Sequence, residues 1–226
     1  MIHGMKCRET ILLASFSIGF SLALTAGSSA QSLIALQSTP KLNVFMYGFP
    51  ALSPSVVQGA EAEAGRMLRR VPIELKWIDC TSRVPPESCR SPQVPTNLIV
   101  RFLPKALPQA SARALGIAGT SADHATAFIF YDRILAVRTH TNLLPAMLGR
   151  VLAHEITHLL LPEEDHAGFG LMRDQWSADD LRFTSTACLG LSAQSVQSMH
   201  REALRRTGTA DSALKTIARR TDEMRD

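Results

Sequence analysis

The hydrophobic positions of this chain change period several times, and each change marks an element. Lys41 to Phe49 is rich in β-forming residues and predicts a strand. Ser53 then offers a cap with Pro54 at the first helical position, and Val57, Ala60, Ala64, Met67, Leu68 and Val71 recur at helical spacing. That pattern predicts a helix over 54–70. Alternation returns from Ile73 to Asp79, a second strand, and Asn97 to Leu103 is a third. Pro104 and Pro108 interrupt the pattern after it, so Pro104 to Gly116 reads as a loop. Leu115 to Ser121 and Ala125 to Ile134 predict a short strand and a longer buried one, joined by a turn that carries Asp123 and His124. From Asn142, a candidate cap, the period is helical again, with Leu144, Leu148, Leu152, Ile156 and Leu159 four or three apart. Pro162 ends this helix, because it cannot donate to the His158 carbonyl and it disfavours α conformation at Leu161. A turn-rich stretch to Ser177, helical segments near 178–189 and 192–207, and a polar tail over 211–226 complete the chain.

The residues before Gln31 stand apart. Lys6 and Arg8 precede an uncharged apolar run, Ile11 to Ala26, followed by Ser28-Ser29-Ala30, small residues of the kind a signal peptidase reads. The run is shorter than the roughly 18 to 20 residues that span a bilayer, which favours a cleaved signal peptide over 1–30 against a membrane anchor. The expected mature chain is a domain over 31–210 with the tail 211–226. It is expected to be periplasmic or extracellular, with no stable membrane association after cleavage. At 46% hydrophobic and 19% charged the composition suits one ordinary globular domain and excludes a disordered or collagen-like chain. The 24 basic and 20 acidic residues give +4, and removing Lys6, Arg8 and Glu9 leaves +3. With Arg scattered and no aromatic clustering, no nucleic-acid partner is expected. Nothing in the pattern fixes an oligomeric state.

Export changes how the cysteines are read. Cys80 and Cys89 flank a Pro-rich segment, where an oxidising compartment favours a loop-closing disulfide; two free thiols or half a metal site is the alternative. Cys188 is left over and is expected to be a buried free thiol.

The chemistry concentrates at His154-Glu155-Ile156-Thr157-His158. Two His at i and i+4 project from one face of a helix, the spacing that holds a Zn²⁺ ion through two imidazole nitrogens. Glu155 is placed to act on water at that metal without displacing it. The other side of the helix, Leu148, Leu152, Ile156 and Leu159, is expected to be buried while the His pair faces a cleft. A third ligand is needed, and Glu163, Glu164, Asp165 and His166 are candidates; Gly168 to Met172 comes after them as a Gly-rich turn. Asp123 and His124 are read as a solvated turn or as cleft lining, and His140 and His200 as surface or packing residues.

The stretch His154 to Met172, HEITHLLLPEEDHAGFGLM, resembles the active-site segment of the metzincin zinc proteases. That resemblance implies His154, His158 and His166 as metal ligands, Glu155 as general base and Met172 as the turn methionine. Leu161 stands where the family has Gly, and His166 comes two residues later than usual. The resemblance also implies the fold class: α+β, a metzincin-like twisted mixed β-sheet with a helix before it, an active-site helix and C-terminal helices. It further implies substrate held along an edge strand, by order Leu115 to Ser121 or Ala125 to Phe130. The segment Gln31 to Pro40 is too short for an inhibitory propeptide. The expected function is a secreted or periplasmic zinc-dependent peptidase acting on protein or peptide. The alternatives are an exported zinc-binding protein without useful proteolysis and a hydrolase of cell-wall peptide amides.

Overall fold

Side chains alternate across a sheet, and here that alternation decides which residues meet the helices. In the computed structural model five strands form one sheet: β1 (Lys41–Tyr47), β2 (Glu74–Asp79), β3 (Asn97–Leu103), β4 (Gly116–Thr120) and β5 (Ala125–Phe130). Their order is β2-β1-β3-β5-β4. β1 pairs in parallel with β2 and β3, and β3 in parallel with β5, while β4 runs antiparallel to β5 and forms one outer edge. The helices are α1 (Pro54–Leu68), α2 (Tyr131–Val137), α3 (Leu144–Leu160) and α4 (Ala193–Thr207). The structure describes residues 39–48, 52–92, 94–120, 125–137, 143–161, 166–174, 176 and 189–208.

Every second strand residue, Leu42, Val44 and Met46, then Leu98, Val100 and Phe102, then Ala125, Ala127 and Ile129, enters one core. Against them lie Ala60, Ala64 and Met67 of α1, Leu148, Leu152, Ile156 and Leu159 of α3, and Met199 and Ala203 of α4. Each large aliphatic side chain buried in this way contributes about 1.5–3 kcal/mol. The α+β expectation is met by this mixed sheet and its helices. The first helix follows β1 in the chain, as the order of periods predicts.

Several boundaries differ from expectation. Ala125 to Ile134 is not one strand: β5 stops at Phe130, whose N–H donates to the Leu115 carbonyl, and α2 begins at Tyr131. The cause is tertiary. Asp132 accepts from the Ala106 N–H, and Arg133 donates to the Ser111 and Ala114 carbonyls, contacts that a continued strand would not make. At the start of α3 the cap position falls to Leu143, with no side-chain cap and with Pro145 in the first turn. At its end Leu161 has φ −137° and ψ 65°, out of the helix as expected for a residue before proline. α4 is capped by Ser192, whose hydroxyl accepts from the Ser195 N–H at 2.9 Å.

Cys80 and Cys89 form a disulfide with Cα atoms 5.8 Å apart. His200 is buried, a packing residue. The expected signal segment 1–30, Asp123, His124, His140, Asn142, Pro162 to Asp165, Cys188 and the tail 211–226 lie outside the described residues. Among the described residues no helix is long and apolar enough to cross a membrane.

Candidate metal centre

α3 is built to be covered. It packs against α1, α2, α4, β4 and β5, and not only its leucine face but also Arg150, His154, Glu155 and Thr157 are buried. The leucine face is buried as expected, and burial extends to His154 and Glu155, which line a cleft with His158. Inserted between sheet and helices, α3 leaves only His158 partly open near its end.

Because His154 and His158 are one turn apart, their rings project together, and their Nε2 atoms lie 3.2 Å from each other. The chain leaves the helix at Leu161 and returns with His166, whose Nε2 is 3.3 Å from both. For His154 the tautomer is set by a partner outside this triangle. His154 Nδ1 lies 2.8 Å from the Leu171 carbonyl oxygen, and a carbonyl only accepts, so Nδ1 carries the hydrogen and Nε2 presents a lone pair. Burial, followed by the neighbouring His166, pushes the His154 imidazolium pKa down to about 4, although the Leu171 carbonyl acts against it. Burial with the two neighbouring imidazoles lowers His158 to about 4 as well. Both rings are neutral at pH 7, the form that ligates metal.

Imidazole nitrogens 2.0–2.1 Å from a tetrahedral Zn²⁺ stand about 3.3 Å from one another, so the donor set fits that ion on three corners. These three are the His, Cys, Asp and Glu side chains that the described residues bring together for a metal. His166 is the exposed member, and its Nδ1 faces Asp174 Oδ1 at 3.7 Å. Trp176 meets His154 edge-on, with ring centroids 5.4 Å apart.

The turn after His166 is set by its backbone. The Ala167 N–H donates to the Met172 carbonyl at 2.6 Å, and Gly170 has φ +76°, a left-handed conformation that favours glycine. A side chain at Gly170 would also strike the Gly190 carbonyl. Met172 points into the core, while Phe169 is 69% exposed. It is the carbonyl of Leu171, beside Met172, that holds His154. Asp165, the competing ligand, lies outside the described residues.

Glu155 is buried, its Oε2 without a hydrogen-bond partner among the described residues, and burial raises its carboxyl pKa to about 8. It lines a cleft of about 940 Å³ together with the three His, Arg173, Asp174 and Trp176. Another part of its wall is the segment from Gln109 to Ala118, which includes the start of β4. Arg133 fastens that wall through the Ser111 and Ala114 carbonyls, the latter at 2.6 Å. Of the two strands expected to border the cleft, β4 is the edge and β5 lies inside the sheet.

Sequence reasoning missed Leu171, Trp176, Arg133 and Gly116. Each acts through a contact between elements distant in the chain, for which no local period or motif exists.

No family model matches the chain, and no curated protein matches it. Among solved structures it is similar to the archaemetzincin of Methanopyrus kandleri, at 13% identity over 73% of this chain and 95% of that one, with a TM-score of 0.45. A likeness at that level leaves the function of the site to be argued from its own geometry.

Proposed function

We propose that this chain is an exported zinc-dependent peptidase in which His154, His158 and His166 hold the metal and Glu155 is the general base. The observation that carries this is the triangle of three Nε2 atoms at 3.2 and 3.3 Å, with the hydrogen of His154 committed to Leu171. Three imidazoles suit zinc and leave one tetrahedral position for water or substrate. Bound there, zinc supplies Lewis acidity toward a carbonyl oxygen and makes water nucleophilic at neutral pH.

The residues of the chain do the rest. Glu155, lining the cleft beside the three His, in its ionised form takes a proton from the attacking water as the water oxygen bonds to the carbonyl carbon. The same carboxyl returns that proton to the nitrogen as the C–N bond breaks. The open side of β4 offers main-chain N–H and C=O groups to an extended peptide, and the cleft beside it places that peptide against Glu155. Met172 steadies the turn: its side chain is in the core and its carbonyl closes the loop on Ala167. Export is supported by the basic start and apolar run before Gln31 and by the Cys80–Cys89 disulfide.

The test is metal analysis of the mature protein. About one equivalent of zinc is expected in wild type and in Glu155→Ala, and a loss of affinity by orders of magnitude in His154→Ala and His158→Ala. Wild type that stays empty after equilibration with zinc would refute the assignment.

A further inference from the structure

β4 begins with a glycine that its backbone does not require. Gly116 pairs with Ile129 in the regular ladder, and its φ is not among the positive values of the chain. What it requires is space. A Cβ at Gly116 would stand 2.6 Å from Glu155 Oε1, 2.9 Å from Glu155 Cδ and 2.8 Å from the Phe128 carbonyl oxygen. On the same strand a Cβ at Gly119 would meet nothing within 4 Å. The carboxylate of α3 is therefore seated against the bare Cα of the edge strand. Its Oε2 is buried without a hydrogen-bond partner among the described residues, so packing, rather than a bond to that oxygen, holds the group in place.

Resting on the peptidase reading above, we infer that Gly116 is a positioning residue for Glu155: the missing side chain is the room in which the carboxylate stands. The helix fixes the Cα of Glu155, but a glutamate has three torsions beyond it, and one wall of the edge strand limits where they can place the oxygens. The consequence is a division of labour. The three His are set by α3 and the turn after it, while the base is set jointly by α3 and β4. A methyl at position 116 must move the carboxylate, the strand or both; the three nearest atoms it meets belong to Glu155 and Phe128 and to none of the imidazoles.

The experiment is a double-substitution cycle on the full mature chain: wild type, Gly116→Ala, Glu155→Ala and the pair, with Gly119→Ala as a stability control. Unfolding midpoints are measured in excess chelator, so this arm needs neither metal nor hydrolysis. Gly116→Ala is expected to lower the midpoint by roughly 5 °C in the wild-type background, from overpacking. In the Glu155→Ala background the drop is expected to shrink by half or more, because two of the three nearest atoms, Oε1 and Cδ of Glu155, are gone. Gly119→Ala, made in both backgrounds, is expected to show no such coupling. In the zinc-loaded arm, Gly116→Ala is expected to keep its metal and lose on the order of 100-fold in kcat, with KM moved far less. Equal midpoint losses in the two backgrounds would overturn the inference, as would a kcat within a few-fold of wild type. Absence of zinc or of any hydrolysis in wild type would count against the peptidase reading, while the midpoint cycle would still decide the contact between Gly116 and Glu155.

Discussion

Glu63→Ala should loosen the helix that carries the metal site. Arg150 lies one turn before His154 on α3, is fully buried, and its Nε donates to Glu63 Oε1 of α1 at 3.1 Å. Arg66 holds the same carboxylate through bonds of 2.7 and 2.6 Å. Removing one partner of a buried pair costs about 3–5 kcal/mol, since the other charge stays behind without compensation. Arg150 has further contacts, so the low end, about 3 kcal/mol, is expected. For a domain of this size that is a fall of roughly 10 °C in Tm. The assay is urea or thermal unfolding of Glu63→Ala, of Arg150→Met and of the pair; the pair should lose less than the Glu63 change alone, because an apolar replacement leaves no stranded charge. Acid provides a second check. Burial alone would raise the Glu63 pKa, but hydrogen bonds from Arg66 and Arg150 outweigh it and hold the carboxyl below its ordinary value. Its stabilisation is therefore present above the unfolded-state pKa and is lost as pH falls through the folded-state value, so wild type and Glu63→Ala should converge in strong acid. A loss under about 1 kcal/mol at pH 7, or a pair that is worse than the sum of its parts, would refute this view of the α1–α3 contact.

His166→Ala should weaken zinc binding by orders of magnitude while Asp165→Ala leaves it near wild type, read by competition with a chromogenic chelator; the opposite ranking would make Asp165 the ligand. The Cys80–Cys89 pair should appear in peptide mapping with Cys188 free, and replacing both half-cystines by Ser should cost about 2–3 kcal/mol of unfolding free energy. A bridge from Cys188 to either cysteine would reject that pairing. The same mapping should place the mature N-terminus near Gln31, and an intact Lys6 to Ala26 segment on exported protein would contradict signal cleavage.

How much the sequence made legible depends on the range of the interactions involved. The His154 and His158 pair was readable because the helical period alone fixes i and i+4 on one face. Asn97–Leu103 was readable to the residue, being an apolar run bounded by turn formers. Ala125 to Ile134 was not, because an apolar run without a period suits strand and helix alike, and the break at Tyr131 is imposed by Asp132 and Arg133 bonding to the loop from Ala106 to Ala114. His166 was readable as one candidate among four, since the residues after a proline break have no period to orient them. The hydrogen bond from His154 to Leu171, the seat of Glu155 against Gly116 and the burial of Arg150 against Glu63 join elements far apart in the chain. Such contacts leave no mark in local spacing.

The central claim is tested most directly by hydrolysis of an unstructured protein, comparing zinc-loaded wild type with Glu155→Ala at equal zinc content. Peptide-bond cleavage by wild type that is abolished by chelator and restored by zinc, and that falls by about 10²–10⁴-fold in Glu155→Ala, is the predicted result. Cleavage that survives the Glu155 change, or a zinc-saturated wild type that cleaves nothing, would contradict it.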